Sequence, residues 1–189
     1  MLCVASSGIA SLLFTDGRTA HSRSKIPIHI HEDSTCSISK DDVHHELLKH
    51  ITLIIWDEVP MQHRHVIECV DRMLRNLLNV DRSFGGITML FGGDFRQTLP
   101  VIPHGSREQI VGASFFRSNL WRHMQVLQLT QNMQVGDDKE SNAFASYLLQ
   151  IVSGQASDSH YSISLPTHMR CGADIQSLIT VLYPEIVNH

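Results

Sequence analysis

No stretch of this chain approaches the roughly eighteen consecutive apolar residues that a membrane-spanning helix needs, so no membrane span is expected. Cysteine is scarce and scattered: Cys3, Cys36, Cys69 and Cys171 form no C-x-x-C pair. That excludes a disulfide framework and leaves reduced, structural thiols as the expectation. The thirteen histidines include the close pairs His29 with His31, His44 with His45 and His63 with His65. With no neighbouring cysteine and no three-ligand spacing they read as surface or helix-facing residues rather than zinc ligands. No positive charge precedes the apolar start Met1 to Phe14, and Ser6-Ser7-Gly8 interrupts it. A secretory signal is therefore not expected, and a soluble intracellular protein is. Charged residues make up only 18% of the chain and the formal net charge is −4, which argues against a broadly basic nucleic-acid coat. Internal repeats and low-complexity tracts are also missing. A hydrophobic content of 42% over 189 residues is enough to bury a core.

One further absence bears directly on chemistry. The phosphate-loop pattern G-x-x-x-x-G-K-S/T occurs nowhere, so the nest of backbone amides and the lysine that cradle phosphates are lacking. Met1-Leu2-Cys3-Val4-Ala5 already reads as a short buried strand. The expectation is a catalytic core lacking its first strand, loop and helix.

What the chain does contain is an apolar strand, Leu53-Ile54-Ile55-Trp56, that delivers Asp57 and Glu58 to its C-terminal end. In an open parallel sheet ligands sit at that end, and an acidic pair there suits a Mg-nucleotide. A second apolar run, Thr88-Met89-Leu90-Phe91, ends in Gly92-Gly93-Asp94-Phe95-Arg96-Gln97, where the glycines let the backbone turn sharply off the strand. An aspartate beside the phosphates can hold Mg²⁺, and a neighbouring glutamate can orient or deprotonate water. Phosphoryl transfer needs little beyond such positioning and charge neutralisation. Two acids at this place would equally suit the opening turn of a helix, facing its positive dipole end. The repetition of the logic in Asp94 and Gln97 favours the nucleotide site.

Four motifs in order then carry a resemblance: Val4-Ala5-Ser6-Ser7-Gly8-Ile9-Ala10, Gly17-Arg18-Thr19-Ala20-His21-Ser22-Arg23, Ile54 to Met61, and Gly92 to Val101. Together they resemble the petite-integration-frequency (Pif) helicases, most of all the branch found in Helitron-type mobile elements. The resemblance runs to Leu129-Thr130-Gln131-Asn132-Met133 and more weakly to Tyr183-Pro184-Glu185-Ile186. It implies a superfamily-one motor that hydrolyses ATP with Mg²⁺ and moves 5′ to 3′ on single-stranded DNA or at duplex junctions. The family's roles are telomere maintenance, DNA repair and recombination, in nucleus or mitochondrion. Carried over by motif, Asp57 is the magnesium carboxylate, Glu58 the catalytic base and Gln97 the coupling residue, with Asp94 beside the nucleotide. Ser6, Ser7 and Gly8 face DNA phosphate, with Thr19, His21 and Lys25 on the same surface. Arg18, Arg23 and Lys25 could make a local basic groove, although an ordinary soluble surface carries such residues too.

The chain departs from the family pattern at three points. The phosphate-loop pattern is missing, the arginine after Leu-Thr-x-Asn-Met is Gln134, and no second motor domain is expected within these 189 residues. Losing one preorganised charge-stabilising donor costs about a hundred- to a thousandfold in rate, so autonomous turnover is not expected. The alternative to an active helicase fragment is a catalytically inactive remnant that binds single-stranded DNA or a partner protein.

The expected fold is α/β, a three-layer parallel sheet of the RecA-like P-loop NTPase type without its N-terminal strand–loop–helix unit. Residues 1–152 would form the partial motor domain, and 153–189 a linker and C-terminal helix. Strands are expected at Leu2–Ala5, Leu53–Trp56, Ile87–Phe91 and Gln125–Leu129. Helices are expected from Gly8, over Asp41–His50 with Val43, Leu47 and Leu48 on one side, over Asn142–Val152 and over Asp174–Ile186. A long helix carries Val66, Ile67, Val70, Met73, Leu74, Leu77 and Leu78 at helical spacing, and Ile26–Ser39 reads as an irregular loop.

Overall fold

The structure is a computed structural model that describes residues 1–39, 43–133, 135–136, 138–157, 162–166, 169 and 174–183, with only the backbone of Val43 and His44. The chain divides into two compact units, Met1–Gln128 and Leu129–His189.

In the first unit, strands β1 (Leu2–Ala5), β2 (Arg18–Thr19), β3 (Leu53–Asp57) and β4 (Thr88–Phe91) form a parallel sheet in the order β2-β1-β3-β4. The register sets Leu2 beside Ile54 and Ile54 beside Met89, then Val4 beside Trp56 and Trp56 beside Phe91. Because strand side chains alternate in direction, these rows share one face. Leu2, Val4, Ile54 and Trp56 are buried. Helix α4 (Arg64–Leu78) covers them, with Val66, Ile67, Val70, Met73, Leu74 and Leu77 all buried along its inner stripe. Val70, Met73 and Leu74 line, with Leu2, Val4, Ile54 and Trp56, a residual gap of about 10 Å³. That is barely the space of one water, so the layers interlock. Each fully buried Ile or Leu here contributes about 1.5–3 kcal/mol.

The ends of α4 follow from its sequence. The His63 ring nitrogen accepts the His65 N–H at 3.1 Å as a cap, and Asn79 closes the helix in the left-handed region with φ 54°. The return to β4 passes through Ser83–Gly86, where Phe84 takes φ 54° and Gly85 φ 63°. Buried Asp71 on α4 accepts the Phe84 N–H and lies 3.0 Å from Arg75, which holds this strained turn. A Cβ on Gly85 would meet the Leu74 carbonyl oxygen at 2.8 Å, so the close approach requires glycine.

Short helices α1 (Gly8–Ser11) and α2 (Ala20–Ser24) follow β1 and β2, and α3 (Val43–Lys49) precedes β3. The irregular stretch Ile26–Ser39 contains no helix or strand, and Cys36 within it rests 3.4 Å, sulfur to sulfur, from Cys69 on α4. After β4 come α5 (Arg107–Ala113) and two short 3-10 turns, Phe115–Arg117 and Trp121–His123. In the second unit, α6 (Lys139–Val152) is capped by Asp138 and α7 (Ile175–Leu182) by Asp174.

The parallel α/β fold is the one expected, with four local differences, the first being that the short polar stretch Arg18–Thr19 pairs with β1 as an edge strand that was not among those expected. Gln125–Leu129 is not a strand: β2 and β4 end the sheet, no strand among the described residues pairs with the segment, and Val126, Leu127 and Leu129 are exposed. An apolar run supplies β-propensity but not a ladder partner, and pairing decides. On α3, Leu48 is buried but Leu47 is 43% exposed; His45 takes the inward place and its ring nitrogen lies 3.1 Å from the Leu77 carbonyl. Helix α6 begins three residues before the expected start because Asp138 accepts the N–H groups of Glu140 and Ser141. Asp41, Asp42, Cys171 and Pro184 to Ile186 lie outside the described residues.

Candidate active and DNA-binding edge

The catalytic and DNA-contact candidates follow the C-terminal ends of the strands of the one sheet. Ser6, Ser7 and Gly8 follow β1; Thr19 ends β2, with His21 and Lys25 in and after α2; Asp57 ends β3, with Glu58 next; Asp94 and Gln97 follow β4. Given the strand order, the serine and basic residues occupy the β2–β1 half of this edge and the acids the β3–β4 half.

On the acidic half, Asp57 Oδ1 accepts the Glu58 N–H at 2.9 Å. Glu58 adopts φ 56°, ψ 37°, the left-handed region that a non-glycine residue occupies at a cost of about 1–3 kcal/mol. The chain then turns through Val59–Met61, and the Val59 N–H donates to the Gly92 carbonyl at 3.0 Å while the Gly92 N–H donates to the Trp56 carbonyl at 2.8 Å. The exits of β3 and β4 are thereby laced together. The glycine pair is required by this closeness: a Cβ on Gly92 would lie 2.7 Å from Asp57 Oδ1, and one on Gly93, whose φ is 140°, would lie 2.3 Å from Pro60 Cδ. Asp94 is engaged within its own turn. Its carboxylate accepts from Arg96 Nε at 2.9 and 3.1 Å and from Arg96 Nη2 at 2.8 Å, and the guanidinium holds the carboxyl below its ordinary range. Gln97 is exposed, with its backbone N–H on the Asp94 carbonyl.

On the other half, the Ser7 hydroxyl accepts the Ala10 N–H at 3.1 Å and Thr19 Oγ1 accepts the Ser22 N–H at 3.2 Å, each shaping the turn off its strand. His21 is half-buried, and burial holds its imidazole below the ordinary value, favouring the neutral form. Lys25 closes α2 in the left-handed region at φ 49°. Two residues that sequence reasoning did not select belong here. Trp56 Nε1 donates to the Ser6 hydroxyl at 3.0 Å, and Gln62 Nε2 donates to the Ser6 carbonyl at 3.2 Å. Trp56 reads as core from its apolar neighbours, and no spacing marks Gln62. Gln134 lies outside the described residues.

A model of the PIF1-like helicase family matches residues 1–162. The chain belongs to the PIF1-like helicase family. An ATP-dependent DNA helicase Pif1 of Psychrobacter sp. (strain PRwf-1) is 34% identical over 120 residues, covering 62% of this chain and 18% of the relative. Among solved structures, Bacteroides sp. Pif1 in complex with ADP-AlF4 aligns with a TM-score of 0.66 at 26% identity, covering 85% of this chain and 37% of that one. Bacteroides Pif1 bound to single-stranded DNA aligns with a TM-score of 0.67 at 25% identity, covering 82% and 37%. The chain thus spans about a fifth of the curated relative and under two fifths of these solved chains. The parallel sheet and its helices match the RecA-like domain of Pif1 helicases.

Proposed function

We propose that the C-terminal sheet edge is the working edge of an ATP-driven DNA helicase motor, unwinding 5′ to 3′, with nucleotide chemistry on the β3–β4 half and single-stranded DNA on the β2–β1 half. The observation that carries this reading is the gathering of the catalytic and DNA-contact candidates after the C-terminal ends of the strands, divided by strand order into a half with acids and a half with serine, threonine, histidine and lysine. Asp57, half-buried with Oδ1 engaged by its neighbour's amide, offers the single carboxylate that Mg²⁺ of a nucleotide takes while keeping most of its waters. The metal would supply charge neutralisation on the phosphates. Glu58, held out of regular geometry directly beside it, is the group to take a proton from the attacking water, and Gln97 the group to register the terminal phosphate. Ser6, Ser7, Gly8, Thr19, His21 and Lys25 take the DNA backbone. Duplex junctions as substrates, work in telomere maintenance, repair and recombination, and a nuclear or mitochondrial place belong to the same proposal.

The missing phosphate-loop pattern favours a second reading, in which the chain binds single-stranded DNA or a partner without turnover. ATP hydrolysis with and without single-stranded DNA separates the two. Turnover that DNA stimulates and Glu58→Gln abolishes is expected of the motor; DNA binding without turnover supports the second reading, and neither activity overturns both.

A further inference from the structure

Ser6 is held at every one of its polar positions by one neighbouring segment. Its N–H donates to the Asp57 carbonyl at 3.0 Å, its carbonyl accepts from Gln62 Nε2 at 3.2 Å, and its hydroxyl accepts from Trp56 Nε1 at 3.0 Å. All three partners lie between residues 56 and 62, the segment that also carries Asp57 and Glu58. The partners are themselves fixed. Trp56 is 1% exposed in the core, and Gln62 is buried with its own N–H on the Val59 carbonyl at 2.9 Å.

Ser6 is the first residue beyond β1, where the chain leaves the sheet towards Ser7 and Gly8. A residue fixed at N–H, carbonyl and hydroxyl sets the direction of the two residues after it, and a displacement of even an ångström in a contact group is costly to recognition. We propose that Trp56 and Gln62 are positioning residues that hold the Ser6–Ser7 turn in the orientation that takes single-stranded DNA. This rests on the DNA-binding reading above and changes the part played by Ser6, which becomes the strut of the turn while Ser7 and Gly8 present the contact. It also ties the DNA-facing turn and the acidic pair into one hydrogen-bonded block.

The test is the affinity of the 189-residue chain for a labelled oligothymidylate, measured by fluorescence anisotropy in a set of variants. Gln62→Met keeps the side chain's length and removes its donor; Trp56→Phe keeps a buried ring and removes the indole N–H. Each is expected to weaken DNA binding about fivefold, the size of one lost hydrogen bond. A residue acting only through the turn has no further effect once the turn's contact is gone. Combined with Ser7→Ala, which leaves Gly8 in place, Gln62→Met should therefore add less than its full effect of about fivefold, whereas combined with Lys25→Ala its effect should persist in full. A merely structural role would instead leave the combinations additive, and melting temperatures above the assay temperature establish that each variant is compared in its folded state. Wild-type affinity in both Gln62→Met and Trp56→Phe, with Ser7→Ala impaired, overturns the inference and leaves the DNA reading standing. Additivity with Ser7→Ala also overturns it. Failure of the folded wild-type chain to bind the oligonucleotide overturns the DNA reading and the inference with it.

Discussion

Gly92→Ala puts a methyl carbon 2.7 Å from Asp57 Oδ1, closer than real Cβ atoms come to a neighbour. The next atoms, Asp57 Cγ at 3.6 Å and Asp57 Cα at 3.7 Å, are in ordinary contact, so only the carboxylate must move. Turning it away breaks its 2.9 Å bond from the Glu58 N–H, a charge-assisted bond worth about 1.5–3 kcal/mol. Asp57 is partly exposed, so water recovers part of that, and Gly→Ala returns about 0.4–1 kcal/mol by restricting the unfolded chain. The net loss is about 1 kcal/mol, or a fall of roughly 2–4 °C in melting temperature for a chain of this size. Thermal unfolding measures the fall, and the Glu58 amide resonance in an NMR spectrum reports the broken bond. Gly112→Ala is the control, because nothing lies within 4 Å of its added Cβ on α5; it should be neutral or slightly stabilising. An unshifted Glu58 amide would refute the reasoning. So would a fall beyond about 8 °C, since the β4 turn rather than the carboxylate would then have yielded.

Three more outcomes are expected. Burial holds His21, His63 and His65 below their ordinary 6.5, so below about pH 6.5 the unfolded chain takes up more protons and stability falls with pH. Melting temperatures at pH 7.5 and 5.5 should show this, and His63→Asn, which keeps a cap acceptor for α4, should flatten the dependence; a flat wild-type profile contradicts it. Asp71→Ala removes the acceptor of the Phe84 N–H and the partner of Arg75, costing about 3 kcal/mol and lowering the melting temperature by roughly 6–12 °C, whereas a change under 2 °C would show that the turn holds itself. MgATP added to the 189-residue chain separates the two readings: a saturable rise in melting temperature that is lost in Asp57→Asn is expected of the motor and would mean that another element cradles the phosphates, whereas no rise supports DNA or partner binding without turnover.

Strands β1, β3 and β4 and the long helix were legible because their signals are local, whereas the two-residue polar β2 carries no such signal. Leu53 to Trp56 and Thr88 to Phe91 are apolar runs ending in acid or glycine, and the α4 stripe repeats at 3.6 residues. Gln125–Leu129 carried the same local signal and failed, because a strand also needs an edge to pair with. Leu47 and His45 exchanged their expected places on α3 because a histidine with a carbonyl partner can occupy a buried position that apolarity alone would give to leucine. At the site, the acids and glycines could be read from strand ends. The grip of Trp56 and Gln62 on Ser6 could not, since it joins residues 50 and 56 positions apart through hydrogen bonds that leave no pattern in the sequence.

The division of the sheet edge is tested most directly by mapping amide chemical-shift changes as an oligothymidylate is titrated into the isotope-labelled chain. The account predicts saturable changes at Ser6, Ser7, Gly8, Thr19, His21 and Lys25 that weaken as salt rises from 50 to 200 mM, in the manner of phosphate contacts. Changes confined to other surfaces, or a response independent of salt, would contradict it.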